Sequence, residues 1–381
     1  MPELDVPLPD DFFQLPKLSP TDVDRYREFG RRASREMLDF TKLKGGRVDW
    51  ALHSNNSSVN VYVGTQAKLP VHLTRTEVET TLDEVRDVCM KTTVSGAREF
   101  QAKFQPVVLD KVRLYNLTLP TPANSYLYQS LNWSIVDTPL RGLVIKRRDI
   151  TYIEHHEFME IDGRKAYVQA MSSIEIPGVP DLEDMFHIIR GELVHNGIIF
   201  IETDRPGILE LMTVHQNKPN GKGNGAMGNF IMRKYVRSHY QAVVNLKRMI
   251  RAHQLSQLTF IDQFRLPPLH TQSKCQVCLK AFASAQKGHC RHCAKIVCIR
   301  DCSAEWDLEQ GALKFSVRIC KLCSKHVSSQ PLLQYQTPRE TTESISSWSP
   351  DDLIRYEEEA YDSISELGDS TRCRDYSIDL Q

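Results

Sequence analysis

The spacing of apolar residues predicts an amphipathic helix near the start of the chain. Ser19 suits the N-cap, Pro20 suits the first helical position, and Asp22 places a negative charge near the positive end of the helix. Apolar side chains then recur at three- and four-residue steps on one face: Val23, Tyr26, Phe29, Ala33, Met37 and Phe40. The pair Gly45-Gly46 predicts the end of this helix.

The middle of the chain has the pattern of β-strands. Runs rich in β-branched and aromatic residues alternate with turn residues such as Asp162-Gly163. The predicted strands are 48–53, 59–63, 71–75, 112–119, 125–136, 150–161, 165–176, 185–195, 197–203 and 208–215, with a polar turn at 54–57 and a helix at 78–90. Strands joined by short turns predict an antiparallel meander rather than parallel βαβ units.

A long amphipathic helix is predicted from Met227 to Leu255, after a flexible stretch from Asn217 to Gly228. A large sheet with one polar face would be open, and a single helix laid across it can close it while leaving room for an apolar ligand. The pattern therefore predicts an α+β fold, in which a curved antiparallel sheet is covered by a long C-terminal helix.

Composition divides the chain into five parts. Residues 1–18 are predicted to be a flexible lead-in, 19–255 the first domain, 256–274 a linker, 275–328 a cysteine-rich module and 329–381 a disordered acidic, Ser-rich tail. The formal charge is zero, with 48 basic and 48 acidic residues. Residues 271–326 hold ten basic and four acidic residues, whereas residues 336–381 hold four and twelve. The tail is thus a candidate site for a protein partner, and no nucleic-acid partner is expected.

Membrane contact is expected to be peripheral. No apolar run approaches the length of a spanning helix, and the best run, 197–201, has the length of a strand. Residues 1–5 have neither a basic nor an apolar region of the secretory kind, which favours a cytoplasmic protein.

Eight of the ten cysteines form four close pairs: Cys275 and Cys278, Cys290 and Cys293, Cys298 and Cys302, and Cys320 and Cys323. Thiolates at this spacing reach one ion from a tight turn, and four of them complete a tetrahedral zinc shell. The alternative is a disulfide framework, which needs an oxidising compartment. The spacing and the expected cytoplasmic setting favour two structural Zn²⁺ ions.

The first domain resembles the START lipid-binding family. The residues that carry the resemblance are Trp133-Ser134, the stretches 146–150 and 174–178, and Tyr235 and Tyr240 in the last helix. The resemblance implies a helix-grip fold with a cavity for one lipid or sterol and the C-terminal helix as its lid. Arg190 and Glu192 share a strand face, so they are candidates for a polar anchor in that cavity or, alternatively, for a surface ion pair.

The cysteine module resembles the FYVE zinc finger. Phe282-Ala283-Ser284 precedes the second pair, the stretch 287–291 stands at the basic signature, and 317–320 matches the R-V-C element. The resemblance implies a cross-brace, in which one zinc takes Cys275, Cys278, Cys298 and Cys302, and the other takes Cys290, Cys293, Cys320 and Cys323. The spacing alone leaves sequential pairing open. The resemblance also implies that a phosphatidylinositol 3-phosphate headgroup binds Lys287, His289, Arg291 and Arg318.

Several positions depart from the FYVE pattern. Gln286 and Gly288 replace a basic residue and a histidine of the signature, and the W-x-x-D element is absent, with Phe260-Ile261-Asp262-Gln263 nearby. The membrane-inserting turret, 281–286, offers few apolar side chains. An ordinary solvated basic surface is therefore the alternative for the four headgroup candidates.

Other patterns do not favour an enzyme. The G-x-G-x-x-G match at 223–228 has no preceding strand, which favours a hinge over a nucleotide site. His155 and His156 point to opposite faces of a strand, so they cannot easily share a metal. The first hypothesis is a non-enzymatic lipid carrier or sensor placed on endosomal membranes by its finger. The alternatives are a protein-interaction scaffold and, with a RING-like finger, a ubiquitin ligase.

Overall fold

The computed structural model describes residues 4–9, 11–56, 59–138, 146–221, 226–282, 286–311 and 313–326. The tail from 329 to 381, the turret residues 283–285 and residues 222–225 of the expected hinge lie outside these ranges. The helices are α1 (Pro20–Leu38), α2 (Leu82–Cys89), α3 (Val94–Phe104), α4 (Glu183–Phe186), α5 (Ala226–Ser256) and α6 (Lys321–His326). The strands of the first domain are β1 (Ala51–Asn56), β2 (Val59–Gln66), β3 (Leu69–Glu79), β4 (Val108–Thr118), β5 (Tyr128–Val136), β6 (Arg148–Ile161), β7 (Arg164–Ser173), β8 (Ile189–Arg190), β9 (Glu192–Glu202) and β10 (Ile208–Lys218).

These strands form one large sheet, with the order β1-β2-β3-β10-β9-β7-β6-β5-β4. Neighbours along this path are antiparallel, and the short β8 pairs with β6 in parallel. The strands from β4 to β10 form a meander, and β3 joins it beside β10. The predicted antiparallel α+β fold with a long C-terminal helix is therefore confirmed.

Helix α1 covers one face of the sheet, called here the α1 face. Ser19 caps the helix as predicted, with its Oγ accepting a hydrogen bond from the backbone N–H of Asp22. Tyr26 packs on Leu131 and Ile153, and Met37 packs on Ala170 and Ile199. At Gly197 a Cβ would overlap the sulfur of Met37 and the carbonyl oxygen of Gln169, so glycine allows this close approach.

Helices α2, α3 and α5 cover the opposite face, called here the α5 face. Ala242, Val243, Leu246 and Ile250 of α5 share one buried cluster with Val61, Phe200 and Leu211 of the sheet. Burying side chains of this size contributes roughly 1.5–3 kcal/mol each. The cluster therefore holds the long helix across the sheet.

The structure differs from the predicted elements in several places. The first helix ends at Leu38 and continues as a short 3₁₀ turn, well before Gly45-Gly46. The predicted helix at 78–90 is shorter, because the β3–β10 ladder extends to Glu79 and the capping box of Thr81 starts α2 only at Leu82. Helix α3 was not predicted. Residues 185–195 are not one strand, because His187 takes a left-handed conformation that ends α4, and residues 54–56 belong to β1 rather than to a turn.

The N-terminal segment lies against the first domain. Leu4, Leu8 and Phe13 are buried in a cluster with Trp133, and the backbone N–H of Leu8 donates to Asp110 at 2.7 Å. The segment expected to be flexible thus contributes to the core.

The cysteine module packs directly on the end of α5. It contains the hairpin β11 (Lys287–His289) and β12 (Ile296–Cys298), the hairpin β13 (Ser303–Gln310) and β14 (Leu313–Cys320), and then α6. Leu255, in the last turn of α5, is fully buried in the core of this module. The Nζ atom of Lys314 also lies 2.7 Å from a carboxylate oxygen of Glu99 in α3.

Candidate functional site

The eight paired cysteines form two groups of four. The first comprises Cys275, Cys278, Cys298 and Cys302, and the second Cys290, Cys293, Cys320 and Cys323; within each group the sulfur atoms all lie within 4.8 Å of one another. The Sγ atoms of Cys278 and Cys298 are 3.9 Å apart, as are those of Cys293 and Cys320. A tetrahedron with zinc–sulfur distances of about 2.3 Å has edges of about 3.8 Å. A disulfide would need about 2.0 Å.

The backbone around each group is shaped for thiolates. Leu279 and Ala294, which follow the first and second pairs, take left-handed conformations with φ near 60°. The backbone N–H of Cys320 donates to the sulfur of Cys290 at 3.2 Å, and that of Val277 donates to the sulfur of Cys275 at 3.4 Å. Such donors stabilise negative sulfur, so the residues fit two structural zinc ions held in a cross-brace.

The four headgroup candidates lie together on the finger, and each has a partner within the chain. Lys287 donates to the carbonyl oxygen of Gln272 at 2.7 Å, and His289 donates to that of Pro267 at 2.6 Å. The Nε atom of Arg291 donates to Ile261 at 2.9 Å. The signature strand is therefore hydrogen-bonded to the linker that precedes the finger.

Arg318 explains why glycine stands in the signature. A Cβ at Gly288 would lie 3.0 Å from Cδ of Arg318 and 2.9 Å from Cγ1 of Ile299, so the stem of Arg318 crosses directly over β11. Its guanidinium donates to the carbonyl oxygen of Ile299 and to Glu305, each at 3.2 Å. The substitution of the signature histidine thus makes room for this arginine.

Arg190 and Glu192 take separate partners. The guanidinium of Arg190 pairs with the buried carboxylate of Asp149 at 2.8 Å. Glu192 pairs with Lys218 at 2.9 Å, and both of those side chains are more than 40% exposed. The two residues lie in different strands, β8 and β9, because Gly191 separates the short parallel pairing from the meander.

A buried polar network on the α5 face was not predicted. The Nζ atom of Lys111 on β4 lies 2.6 Å from Glu154 on β6, and both side chains are at least 96% buried. Gln169 donates to Glu154 at 2.6 Å, and the Nδ2 atom of Asn132 lies 3.3 Å from the same carboxylate. His156 lies 3.1 Å from it. These residues alternate along the strands with apolar residues of the α1 face, which is the available sequence signal.

The ion pair decides the charges in this network. Burial alone would raise the pKa of Glu154, but the ammonium of Lys111 and the hydrogen bond to His156 outweigh it and hold that pKa well below its usual value. Burial alone would lower the pKa of Lys111, and Glu154 reverses the direction. Both groups are therefore charged near neutral pH.

Two acceptor atoms in this network lack a donor. Among the described residues, Oδ1 of Asn132 and Oε1 of Gln169 are buried without a hydrogen-bond partner. Buried polar atoms in native proteins are nearly always paired, because an unpaired one costs about 1–3 kcal/mol. The network is thus arranged to accept hydrogen bonds from a further group.

Three histidines form a second polar cluster beneath α5. His72 of β3 and His215 of β10 are opposite each other in the sheet, and the ring of His239 in α5 stacks on His215 with centroids 3.6 Å apart. Burial lowers the pKa of His215 to about 3 and that of His72 to about 4, and it holds that of His239 well below its usual value. The cluster is therefore neutral at physiological pH.

Comparison with known proteins agrees with this division of the chain. Residues 267–329 match the family model of the FYVE zinc finger, which confirms the predicted resemblance. The chain is also similar to human StAR-related lipid transfer protein 5, at 14% identity over 60% of this chain and 97% of that chain, with a TM-score of 0.46. For human STARD10 the identity is 16% over 60% and 81% of the two chains, with a TM-score of 0.37. For a STAR-related lipid transfer protein fragment from Xanthomonas axonopodis it is 14% over 53% and 98%, with a TM-score of 0.38.

Two further findings complete the comparison. A search of curated proteins found no match to this sequence. Among the described helices, none combines the length and the apolar character needed to cross a membrane.

Zinc content tests the metal centres. The purified full chain is expected to carry about two zinc ions by inductively coupled plasma mass spectrometry. Cys290→Ser removes one ligand from a closed shell, so at least one ion should be lost. Cys89→Ala is the control, since Cys89 is buried in α2 outside both groups, and it should keep both ions. Retention of both ions by Cys290→Ser would contradict the assignment.

The histidine cluster predicts a specific pH dependence. The folded-state pKa values of His72 and His215 lie below the usual 6.5, so the unfolded chain takes up protons first as the pH falls. The free energy of unfolding should therefore decrease from about pH 6.5 towards pH 4, by up to about 1.4 kcal/mol per pH unit for each histidine.

Urea denaturation between about pH 7 and pH 5 measures this slope. His215→Gln should make the dependence shallower, whereas His270→Gln, an exposed residue of the linker, should leave it unchanged. Equal slopes for all three proteins would show that the cluster does not titrate as described.

Proposed function

We propose that the chain is a non-enzymatic lipid-binding protein. The sheet and α5 hold one apolar lipid or sterol, and the zinc finger attaches the domain to phosphoinositide-containing membranes. Its place would then be the cytoplasm, with peripheral binding to endosomal membranes. The acidic tail, which lies outside the described residues, is proposed to bind a protein partner.

The observation that carries this proposal is the polar network on the α5 face. An apolar core would be at least as stable without a buried ion pair, because the attraction between two buried charges seldom exceeds their desolvation penalty. Here the pair is kept, and two neighbouring amide oxygens have no donor among the described residues. A bound ligand that donates hydrogen bonds accounts for both features.

The surroundings define the chemistry of this ligand. The rest of the α5 face is an apolar cluster that includes Val61, Tyr167, Phe200 and Leu211. The free positions of the network are acceptors, Oδ1 of Asn132 and Oε1 of Gln169. A molecule with an apolar body and one hydroxyl group, such as a sterol, fits both regions better than an anionic lipid.

The finger supports the membrane part of the proposal. Of the four headgroup candidates, Arg291 keeps its two terminal guanidinium nitrogens without a hydrogen bond within the part of the chain that the structure describes. A guanidinium with two open donors suits a phosphate group. Arg291 is therefore the proposed centre of phosphoinositide binding.

A protein-interaction scaffold is the second candidate function. It is favoured by one observation, which is that Lys287 and His289 already donate to carbonyl oxygens of the linker. In that case the signature would serve to fix the finger on the first domain, and its surface would bind protein.

Lipid loading tests the first domain. The purified full chain should show about one lipid per chain by native mass spectrometry and bind a labelled sterol. Gln169→Leu removes one unpartnered acceptor, so we expect about tenfold weaker binding of the sterol and no change for its 3-deoxy analogue. The deoxy analogue is the matched control. A protein that emerges without lipid and refuses labelled lipids and sterols would contradict the proposal and favour the scaffold.

Vesicle flotation tests the finger. The full chain should float with phosphatidylcholine vesicles that contain phosphatidylinositol 3-phosphate more than with vesicles that contain unphosphorylated phosphatidylinositol. Arg291→Ala should weaken this binding at least about tenfold, because hydrogen bonds to charged groups contribute roughly 1.5–3 kcal/mol. Arg300→Ala removes an exposed charge from the same finger and serves as the control. Equal flotation with both lipids would rule out headgroup recognition.

A further inference from the structure

The linker runs along the signature strand of the finger and is attached to it at several points. At one end, the backbone N–H of Ile261 donates to the carbonyl oxygen of Arg291 at 2.7 Å, and the Arg291 side chain donates back to Ile261. Farther along, His289 donates to Pro267 and Lys287 donates to Gln272. The loop 262–266 is therefore held between two anchors on the proposed membrane-binding face.

This loop presents an aromatic ring to solvent. Phe264 is 100% exposed, and the residue that follows it is Arg265. A short 3₁₀ turn, Gln263–Arg265, fixes the backbone around the ring, with the N–H of Arg265 donating to Asp262 at 2.9 Å. Leu269, also on the linker, is 39% exposed. The linker thus carries apolar side chains that pack on nothing in the described chain.

The turret does not supply such a group through its phenylalanine. Phe282 is 2% exposed and belongs to the core of the finger, with the ammonium of Lys287 at 4.8 Å from its ring centroid. An apolar contact with a membrane through a phenylalanine of the finger region is therefore assigned to Phe264.

The charge around the loop identifies the surface that it contacts. Residues 271–326 have an excess of six basic residues, ten against four acidic. Lys287 and Arg291 stand next to the anchors, and Arg265 and Lys274 flank them on the linker. An exposed aromatic ring surrounded by cations is complementary to an anionic phospholipid bilayer, where the ring enters the headgroup region and the cations face phosphates.

We propose that the loop 262–266 inserts the Phe264 side chain into an anionic phospholipid bilayer and thereby anchors the finger. This inference rests on the proposed membrane binding of the finger and adds the group that penetrates the bilayer. The loop acts on any anionic bilayer, whereas Arg291 sets the preference for a phosphorylated headgroup.

Flotation of the full chain with phosphatidylcholine–phosphatidylserine vesicles, with and without phosphatidylinositol 3-phosphate, tests the inference. Burying a phenylalanine is favourable enough that Phe264→Ala should bind about tenfold or more weakly to both kinds of vesicle, with the ratio between them unchanged. Phe264→Trp should bind as the natural protein does. Leu119→Ala is the matched control, because Leu119 is 53% exposed on the first domain, and its binding should be unaltered.

Depth and alternatives are measured on the same proteins. Phe264→Trp should add fluorescence that brominated lipids quench, beyond the quenching of the natural chain. If Phe264→Ala binds vesicles as well as the natural chain, insertion is overturned while membrane binding stands. If the natural chain binds neither vesicle, both are overturned. If Phe264→Ala instead abolishes a dimer detected by light scattering, the ring belongs to a contact between two copies of the chain.

Discussion

The packing of α5 on the sheet is the interaction on which the rest of the structure depends. Its middle turns, with Leu246 and Ile250, cover the α5 face, while Leu255 in its last turn is buried in the core of the zinc finger. One helix therefore belongs to two cores. Because a rigid helix transmits a shift of one end to the other, any displacement of α5 from the sheet also alters the base of the finger. Ligand entry and membrane attachment are coupled by this geometry.

The polar interior beneath α5 explains why this packing is not simply a closed apolar core. The Lys111–Glu154 pair, His215 and His239 are all buried under the helix. Removing one partner of a buried pair typically destabilises a protein by about 3–5 kcal/mol, whereas replacing both by apolar residues is often neutral or stabilising. A chain that keeps such groups gives up stability that an apolar core would offer. Binding of a polar ligand group is the functional gain that balances this loss.

Much of the fold follows from sequence patterns, and the exceptions have physical causes. The cap at Ser19 and the periodicity up to Leu255 mark the two long helices. Helix α3 escaped prediction because Val94 and Gly96 are weak helix formers, although Thr93 caps it and Phe100 and Phe104 anchor it. In the finger, spacing identified the zinc ligands, but the pairing of distant cysteines is set by tertiary structure and followed only from the resemblance.

The polar network shows a limit of a different kind. Along β5 and β6, polar residues such as Asn132 and Glu154 alternate with apolar ones, and this pattern is typical of a strand with one solvated face. A polar face covered by a distant helix produces the same alternation. Only the position of α5 distinguishes the two, so burial of these residues could not be predicted from periodicity.

The changes in the finger signature act together rather than singly. Gly288 lets the stem of Arg318 cross β11, and Lys287 and His289 hold the linker. Few donors then remain for a stereospecific headgroup contact, and attraction to an anionic surface depends more on charge density. Such attraction weakens within a Debye length of about 8 Å at physiological ionic strength, whereas insertion of an apolar ring is not screened by salt. A finger with this signature therefore needs an apolar anchor more than one with its full set of headgroup donors.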